Sequence, residues 1–214
     1  MKFIKLFATV VIFTAISCTN NQQPSASIDN LPAPQIKGGK PLMLALRDRK
    51  TTRDFSDKEL SLQQISDLLW AANGINRPAE KRHTAPTARN RQELDIYVAM
   101  KSGVYLFDAD NQKLIKQSDK DIRAEIGDQD FHKIVPLTLI LVADLNKAFE
   151  GDTTRNDYET IDAGYISQNI YLYCASENLA TVAVGWINRP KIDSLLHLSS
   201  RQRVIIAHPV GYPK

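Results

Sequence analysis

The apolar positions change period several times along the chain, and each change marks an element. Pro41 suits a first helical turn, where its missing amide costs nothing, and Leu42, Met43, Ala45 and Leu46 then form a short stripe. Ser61 and Gln64 form a capping box ahead of Leu62, Ile65, Leu68, Leu69 and Ala72, which recur at helical spacing until Asn73-Gly74 closes the run. Residues 94–100 alternate as a strand, Ser102-Gly103 turns the chain, and 104–107 return. A second turn at 108–112 leads into 113–116, which predicts a meander. Asp119 is placed to cap a short helix ending near Gly127. Residues 135–143 are almost unbroken apolar, the pattern of a strand covered on both faces.

The longest helix is predicted over 158–178. Ala163, Ile166, Ile170, Tyr173 and Cys174 share one face, while Ile161, Tyr165, Leu172 and Leu179 lie around the other. A helix apolar nearly all round is buried, and in a chain of 214 residues that points to a partner subunit as well as to a core. A strand over 181–187 carrying Gly185, a helix from Pro190 to Leu196 and a strand over 204–207 complete the pattern, ending in Pro209-Val210-Gly211-Tyr212-Pro213-Lys214. The sum is an α+β chain. The long polar stretch 75–92, rich in Pro, Arg and Asn, interrupts it where function tends to sit.

The first residues follow a different logic. Met1-Lys2-Phe3-Ile4-Lys5, the apolar run 6–16 and Ser17-Cys18 read as a signal peptide, too short to span a membrane comfortably. Ala15-Ile16-Ser17-Cys18 is similar to a bacterial lipobox, with Cys18 as the lipidated residue of an exported, periplasm-facing protein; a plain secretory signal is the other reading. Residues 19–40, with Pro24, Pro32, Pro34 and Gly38-Gly39, read as a linker, so the folded domain is expected over 41–214. Removing Lys2 and Lys5 from the 27 basic residues leaves 25 against 24 acidic ones, a formal +1, so bulk charge gives no reason to expect a nucleic-acid partner. With Cys18 lipidated only Cys174 remains, which excludes a disulfide framework and a cysteine metal site.

Candidate chemistry concentrates in Arg49-Lys50-Thr51-Thr52-Arg53. Two guanidinium forks, a mobile ammonium and a hydroxyl are the donor set that a phosphate monoester needs. The same run also reads as a solvated basic turn. His83, His132, His197 and His208 have no metal-ligand spacing, and no Gly-rich phosphate loop or nucleophile elbow is present. His83 and His132 read as loop residues, His197 and His208 as surface or satisfied packing. Tyr105, Tyr158, Tyr165 and Tyr171 read as core or interface positions, and no catalytic side chain is singled out.

Four segments in order, over roughly 41–214, resemble the FMN-dependent nitroreductase superfamily, and within it the SagB-type, azoline-oxidising dehydrogenases. They are Arg49-Lys50-Thr51-Thr52-Arg53, Thr84-Ala85-Pro86-Thr87-Ala88-Arg89-Asn90-Arg91-Gln92, Asp162-Ala163-Gly164 with Gln168-Asn169, and Val182-Ala183-Val184-Gly185-Trp186. The resemblance implies a central mixed, mainly antiparallel sheet flanked by helices, with the long buried helix at a homodimer interface. It implies that Arg49, Lys50 and Thr51 hold the FMN phosphate and ribityl chain and that Arg53 reaches the pyrimidine edge. Pro86, Thr87 and Asn90 would come from the other protomer, and the amides of Val184 and Gly185 would approach the ring. Many relatives carry a distal cation on the phosphate, a part for which Lys214 is the candidate. The implied activity is two-electron transfer on a small organic substrate in alternating half-reactions. A lipid-anchored binding module with the fold but without catalytic flavin is the alternative.

Overall fold

The computed structural model describes residues 30–147 and 158–214; Cys18 and the rest of the expected leader lie outside them. Strands β1 (Ile75–Arg77) and β2 (Arg82–His83) form a small hairpin. Strands β3 (Leu94–Met100), β4 (Gly103–Asp108), β5 (Lys113–Ser118), β6 (Leu137–Asp144), β7 (Ala180–Thr181) and β8 (Gln202–Gly211) form one sheet in the order β5-β4-β3-β6-β8-β7. Every described pairing is antiparallel, so the expected meander and antiparallel character are present, without a parallel pair.

Strand β6 lies at the centre, and its apolar run follows from that position. Side chains alternate across a strand. Leu139 and Leu141 face one side with Ile96 and Val98, where they meet Leu68, Leu69, Ile166 and Ile170. Ile140 and Val142 face the other with Tyr97 and Ala99, against Ile122, Ile126, Ile192 and Leu196. The first side is covered by helices α2 (Leu62–Asn73) and α3 (Tyr158–Ser176), with α1 (Leu42–Asp48) packed on α3; the second is covered in part by α4 (Arg189–Leu195).

Helix α2 begins as its sequence predicts. The Ser61 side chain accepts from the Gln64 amide at 3.2 Å, and Gln64 Oε1 accepts from the Ser61 amide at 3.0 Å. It ends at Gly74, where the backbone turns extended, and only glycine fits there because a Cβ would lie 2.5 Å from Trp70 Cδ1. The same Gln64 reaches the last strand, its Nε2 donating to the Tyr212 hydroxyl at 2.9 Å.

Several expectations need correction. Residues 30–40 are docked on the domain: Leu31 is buried, the Pro32 carbonyl accepts from Ser66 Oγ at 2.5 Å, and the Gln35 amide donates to Asp67 at 2.7 Å. The packed unit therefore includes these residues and does not begin at Pro41. Their prolines leave carbonyls free for the α2 side chains, which a composition reading takes for a linker. The short helix expected after Asp119 is a 3-10 turn over Arg123–Glu125, where Asp121 accepts from the Arg123 amide at 3.1 Å. The strand expected over 181–187 shrinks to two paired residues and one bridge between Val184 and Ala207. It leaves the ladder because the Ala183 amide donates to the Tyr171 hydroxyl at 2.9 Å.

Replacing Ser61 with Ala removes the reciprocal cap and is expected to lower stability by about 1 kcal/mol. Urea unfolding checks this, and an unchanged midpoint would show that the cap contributes nothing.

Candidate functional site

The basic run leaves the end of α1, and backbone contacts fix where it goes. The Arg49 amide donates to the Ala45 carbonyl at 2.9 Å, ending the helix, and the Thr52 amide donates to the Thr181 carbonyl at 3.0 Å, fastening the run to β7. Beyond it, residues 54–56 lie antiparallel to 212–214. The Ser56 amide donates to the Tyr212 carbonyl at 2.9 Å, Phe55 bridges Pro213, and the Lys214 amide donates to the Asp54 carbonyl at 3.2 Å. The backbone therefore brings Arg49, Lys50, Thr51, Arg53 and Lys214 to one region, although 214 and 49 are far apart in sequence.

A cleft of about 540 Å³ opens there, lined by Lys40, Arg49, Lys50, Thr52, Tyr171 and Pro213 among others. Lys40 and Arg47 share Asp48, at 3.1 and 2.8 Å. Arg49, Lys50 and Arg53 form no ion pair among the described residues. Arg49 and Lys50, cations without a described counter-charge that line a cleft of ligand size, suit an anionic ligand better than a merely solvated turn.

Tyr171 links this run to the Gly185 segment. Its hydroxyl lies 3.0 Å from Thr51 Oγ1, and the Arg49 guanidinium carbon sits 5.2 Å from the centre of its ring. His208 meets the ring edge-on at 5.4 Å. Thr181 Oγ1 gives its proton to the Pro209 carbonyl at 2.9 Å, so its 3.4 Å contact with His208 Nδ1 places the proton on Nδ1. Nε2 then accepts from Ser167 Oγ at 2.7 Å. Burial pushes His208 down to about 3, so it stays neutral beneath the ring.

The amides of 183–185 have three different fates. Ala183 serves Tyr171, Val184 donates to the Ala207 carbonyl at 2.8 Å, and Gly185 has no partner among the described residues. The expectation that the Val184 amide approaches a ligand is corrected, since the sheet takes that amide. A Cβ on Gly185 would meet nothing within 4 Å, so open space lies in front of the bare backbone. These residues fit FMN by their chemistry: a cluster of unneutralised phosphate donors at one end, and an uncovered amide beside open space at the other.

Pro86, Thr87 and Asn90 lie elsewhere in the same chain. The Ala88 amide donates to Asp162 Oδ2 at 2.8 Å, and Asp162 is nine residues from Tyr171 on α3, about 13 Å along the axis. Thr87 Oγ1 accepts from the Gln92 amide at 3.0 Å. Lys81, Arg89, Asn90 and Gln92 all have positive φ between 51° and 55°, so this loop holds a concentration of conformations that side chains disfavour.

A buried carboxylate group underlies the loop. Glu159 accepts from Arg203 at 2.6 Å, Asp162 holds Ala88, and Glu93 is 2% exposed with Oε2 unpartnered among the described residues. Burial, then its neighbours Asp162 and Glu159, push Glu93 up to about 7. Sequence reasoning missed Glu93 and Glu159, which lie in no motif, quoted Asp162 only as part of a helix segment, and read Tyr171 as a core or interface position. It also read His132 as a loop residue. His132 is fully buried against Phe131, and burial lowers it to about 4.

Comparison with known proteins places this geometry. Residues 46–212 match the nitroreductase family. A protein of Methanocaldococcus jannaschii named as a candidate nitroreductase is 26% identical over 174 residues, covering 76% of this chain and 86% of its own. The crystal structure of a candidate nitroreductase from Ralstonia eutropha is 35% identical with a TM-score of 0.84, covering 89% of this chain and 91% of its own. The Escherichia coli microcin synthetase complex, bound to a truncated microcin precursor, shares the fold at 15% identity and a TM-score of 0.68, over 96% of this chain and 85% of that one. The family match and the two candidate nitroreductases support an oxidoreductase role and give no support to a binding module without catalysis, while the microcin synthetase likeness shows the fold alone.

Glu93 gives a pH dependence. Its folded value is raised from 4.5 to about 7, so the folded state keeps a proton that the unfolded state has released, and stability falls as pH rises through that window. Glu93→Gln, which mimics the protonated form, is expected to match the wild type near pH 4 and to exceed it by on the order of 2 kcal/mol above pH 7. Urea midpoints across pH check this; a difference constant with pH would contradict it.

Proposed function

The chain belongs to the nitroreductase family, and we propose that it is an FMN-dependent oxidoreductase of the SagB-like branch, working as a homodimer on a small organic substrate. Arg49, Lys50 and the Thr51 hydroxyl hold the phosphate, joined by Lys214, whose backbone is bonded to Asp54. The observation that carries this reading is that Arg49 and Lys50, with no ion pair among the described residues, line a cleft beside Arg53 in sequence, joined through Tyr171 to the segment ending in the Gly185 amide, which has no described partner.

FMN, when bound, supplies the two-electron chemistry. The protein supplies placement and charge. Arg53 sets a fixed positive charge by the pyrimidine edge, which favours the electron-rich state of the ring. Gly185 offers its amide without a side chain in the way. Pro86, Thr87 and Asn90 are assigned to the partner's site. In support, α3 leaves Ile161 49% and Tyr165 47% exposed on the side away from its core, an apolar face suited to a second copy. Export on a lipidated Cys18 belongs to the same proposal, and it favours an electron donor other than cytoplasmic NAD(P)H.

Purified protein reconstituted with FMN is expected to retain one flavin per chain and to be yellow. Each charge-assisted hydrogen bond, from Arg49 to the phosphate and from Arg53 to the pyrimidine edge, contributes roughly 1.5–3 kcal/mol, so the double variant Arg49→Ala, Arg53→Ala is expected to bind FMN at least about a hundredfold more weakly. Flavin retention unchanged in the variant would overturn the site; no retention by the wild type would overturn the cofactor.

A further inference from the structure

We propose that Tyr171 is a positioning residue, which aims the Thr51 hydroxyl at a phosphate oxygen and ties the phosphate-binding run to the segment ending in the Gly185 amide. The inference rests on the FMN reading above and adds a residue to it.

The direction of the hydrogen bonds carries the argument. A backbone amide can only donate, so the Tyr171 oxygen accepts from Ala183 at 2.9 Å. A phenol has one proton, and the remaining polar atom bonded to it is Thr51 Oγ1 at 3.0 Å. If Thr51 donated to Tyr171, the phenol proton would have no described partner. With Tyr171 donating, Thr51 accepts inward and its own proton must point outward. Thr51 is exposed at that point. A threonine that could present either a donor or a lone pair is thereby set as a donor, the polarity that a phosphate requires.

The ring acts as well. Its centre lies 5.2 Å from the Arg49 guanidinium carbon, close enough for a cation–π contact, and neutral His208 holds its edge in place. The bond from Ala183 also takes the chain out of the β7 ladder just before Gly185. One side chain therefore sets the positions of Arg49, Thr51 and the segment 183–185 relative to one another.

The test compares binding of FMN with that of riboflavin, which lacks the phosphate, to the purified protein and to Tyr171→Phe, Thr51→Val and the double variant. Each single variant is expected to bind FMN roughly tenfold more weakly; Thr51→Val, which leaves the Ala183 bond intact, is expected to change riboflavin binding less than about twofold and to melt close to the wild type. The double variant is expected to be no weaker than Tyr171→Phe, because Thr51→Val breaks only the donor chain that loss of the phenol has already broken. Additive losses, or equal losses for FMN and riboflavin in Thr51→Val, would overturn the inference and leave Tyr171 with a structural part only. Thr51 is exposed, so Thr51→Val keeps the test decisive even if Tyr171→Phe fails to fold. A wild type that binds neither flavin would instead overturn the cofactor reading, and this inference with it.

Discussion

A polar group carried into the interior is costly unless it finds a partner, and helix α3 carries two buried carboxylates, Glu159 and Asp162, with the half-buried hydroxyls of Ser167 and Tyr171. Glu159, Asp162, Ser167 and Tyr171 all sit on an element whose Ile166, Ile170 and Cys174 are buried in the core. Leaving such groups unpaired away from water would cost several kcal/mol each. Each has recruited a different part of the chain: Arg203 for Glu159, the Ala88 amide for Asp162, His208 for Ser167, and Thr51 with Ala183 for Tyr171. The helix thus serves as the frame on which the loop 84–92, the last strand and the basic run are placed.

Seen from α3, the site follows from satisfying polar groups under an apolar sheet. The central strand β6 fixes the sheet by being covered on both faces, and β8 beside it brings residues 212–214 back to the basic run. Lys40 and Arg47 share the one carboxylate of Asp48, while Arg49, Lys50 and Arg53 have no ion pair among the described residues. Membership of the nitroreductase family and the oxidoreductase role it supports are consistent with that division of charge.

Much of this could be read from the residues themselves. The Ser61–Gln64 cap, the meander 94–118 and the apolar run of β6 are local patterns with local causes, and each forms where the pattern places it. The gathering of Arg49 to Arg53 is contiguous in sequence and equally legible. What was not legible depends on partners distant in sequence. Tyr171 reads as an interface aromatic until Thr51, 120 positions away, meets its hydroxyl. Val184 reads as a free strand amide until Ala207 is seen to take it. Residues 30–40 look like linker because their bonds go to side chains of α2, which no periodicity records.

The central claim is that the unneutralised cations after α1 hold the phosphate of FMN while Gly185 faces its ring. A crystal structure of the purified protein with FMN tests this most directly. The account predicts phosphate oxygens within hydrogen-bonding distance of Arg49, Lys50 and Thr51, the ring against the Gly185 amide, and Pro86, Thr87 and Asn90 arriving from the second protomer. Flavin seated elsewhere, with Arg49 and Arg53 turned into solvent, would contradict it.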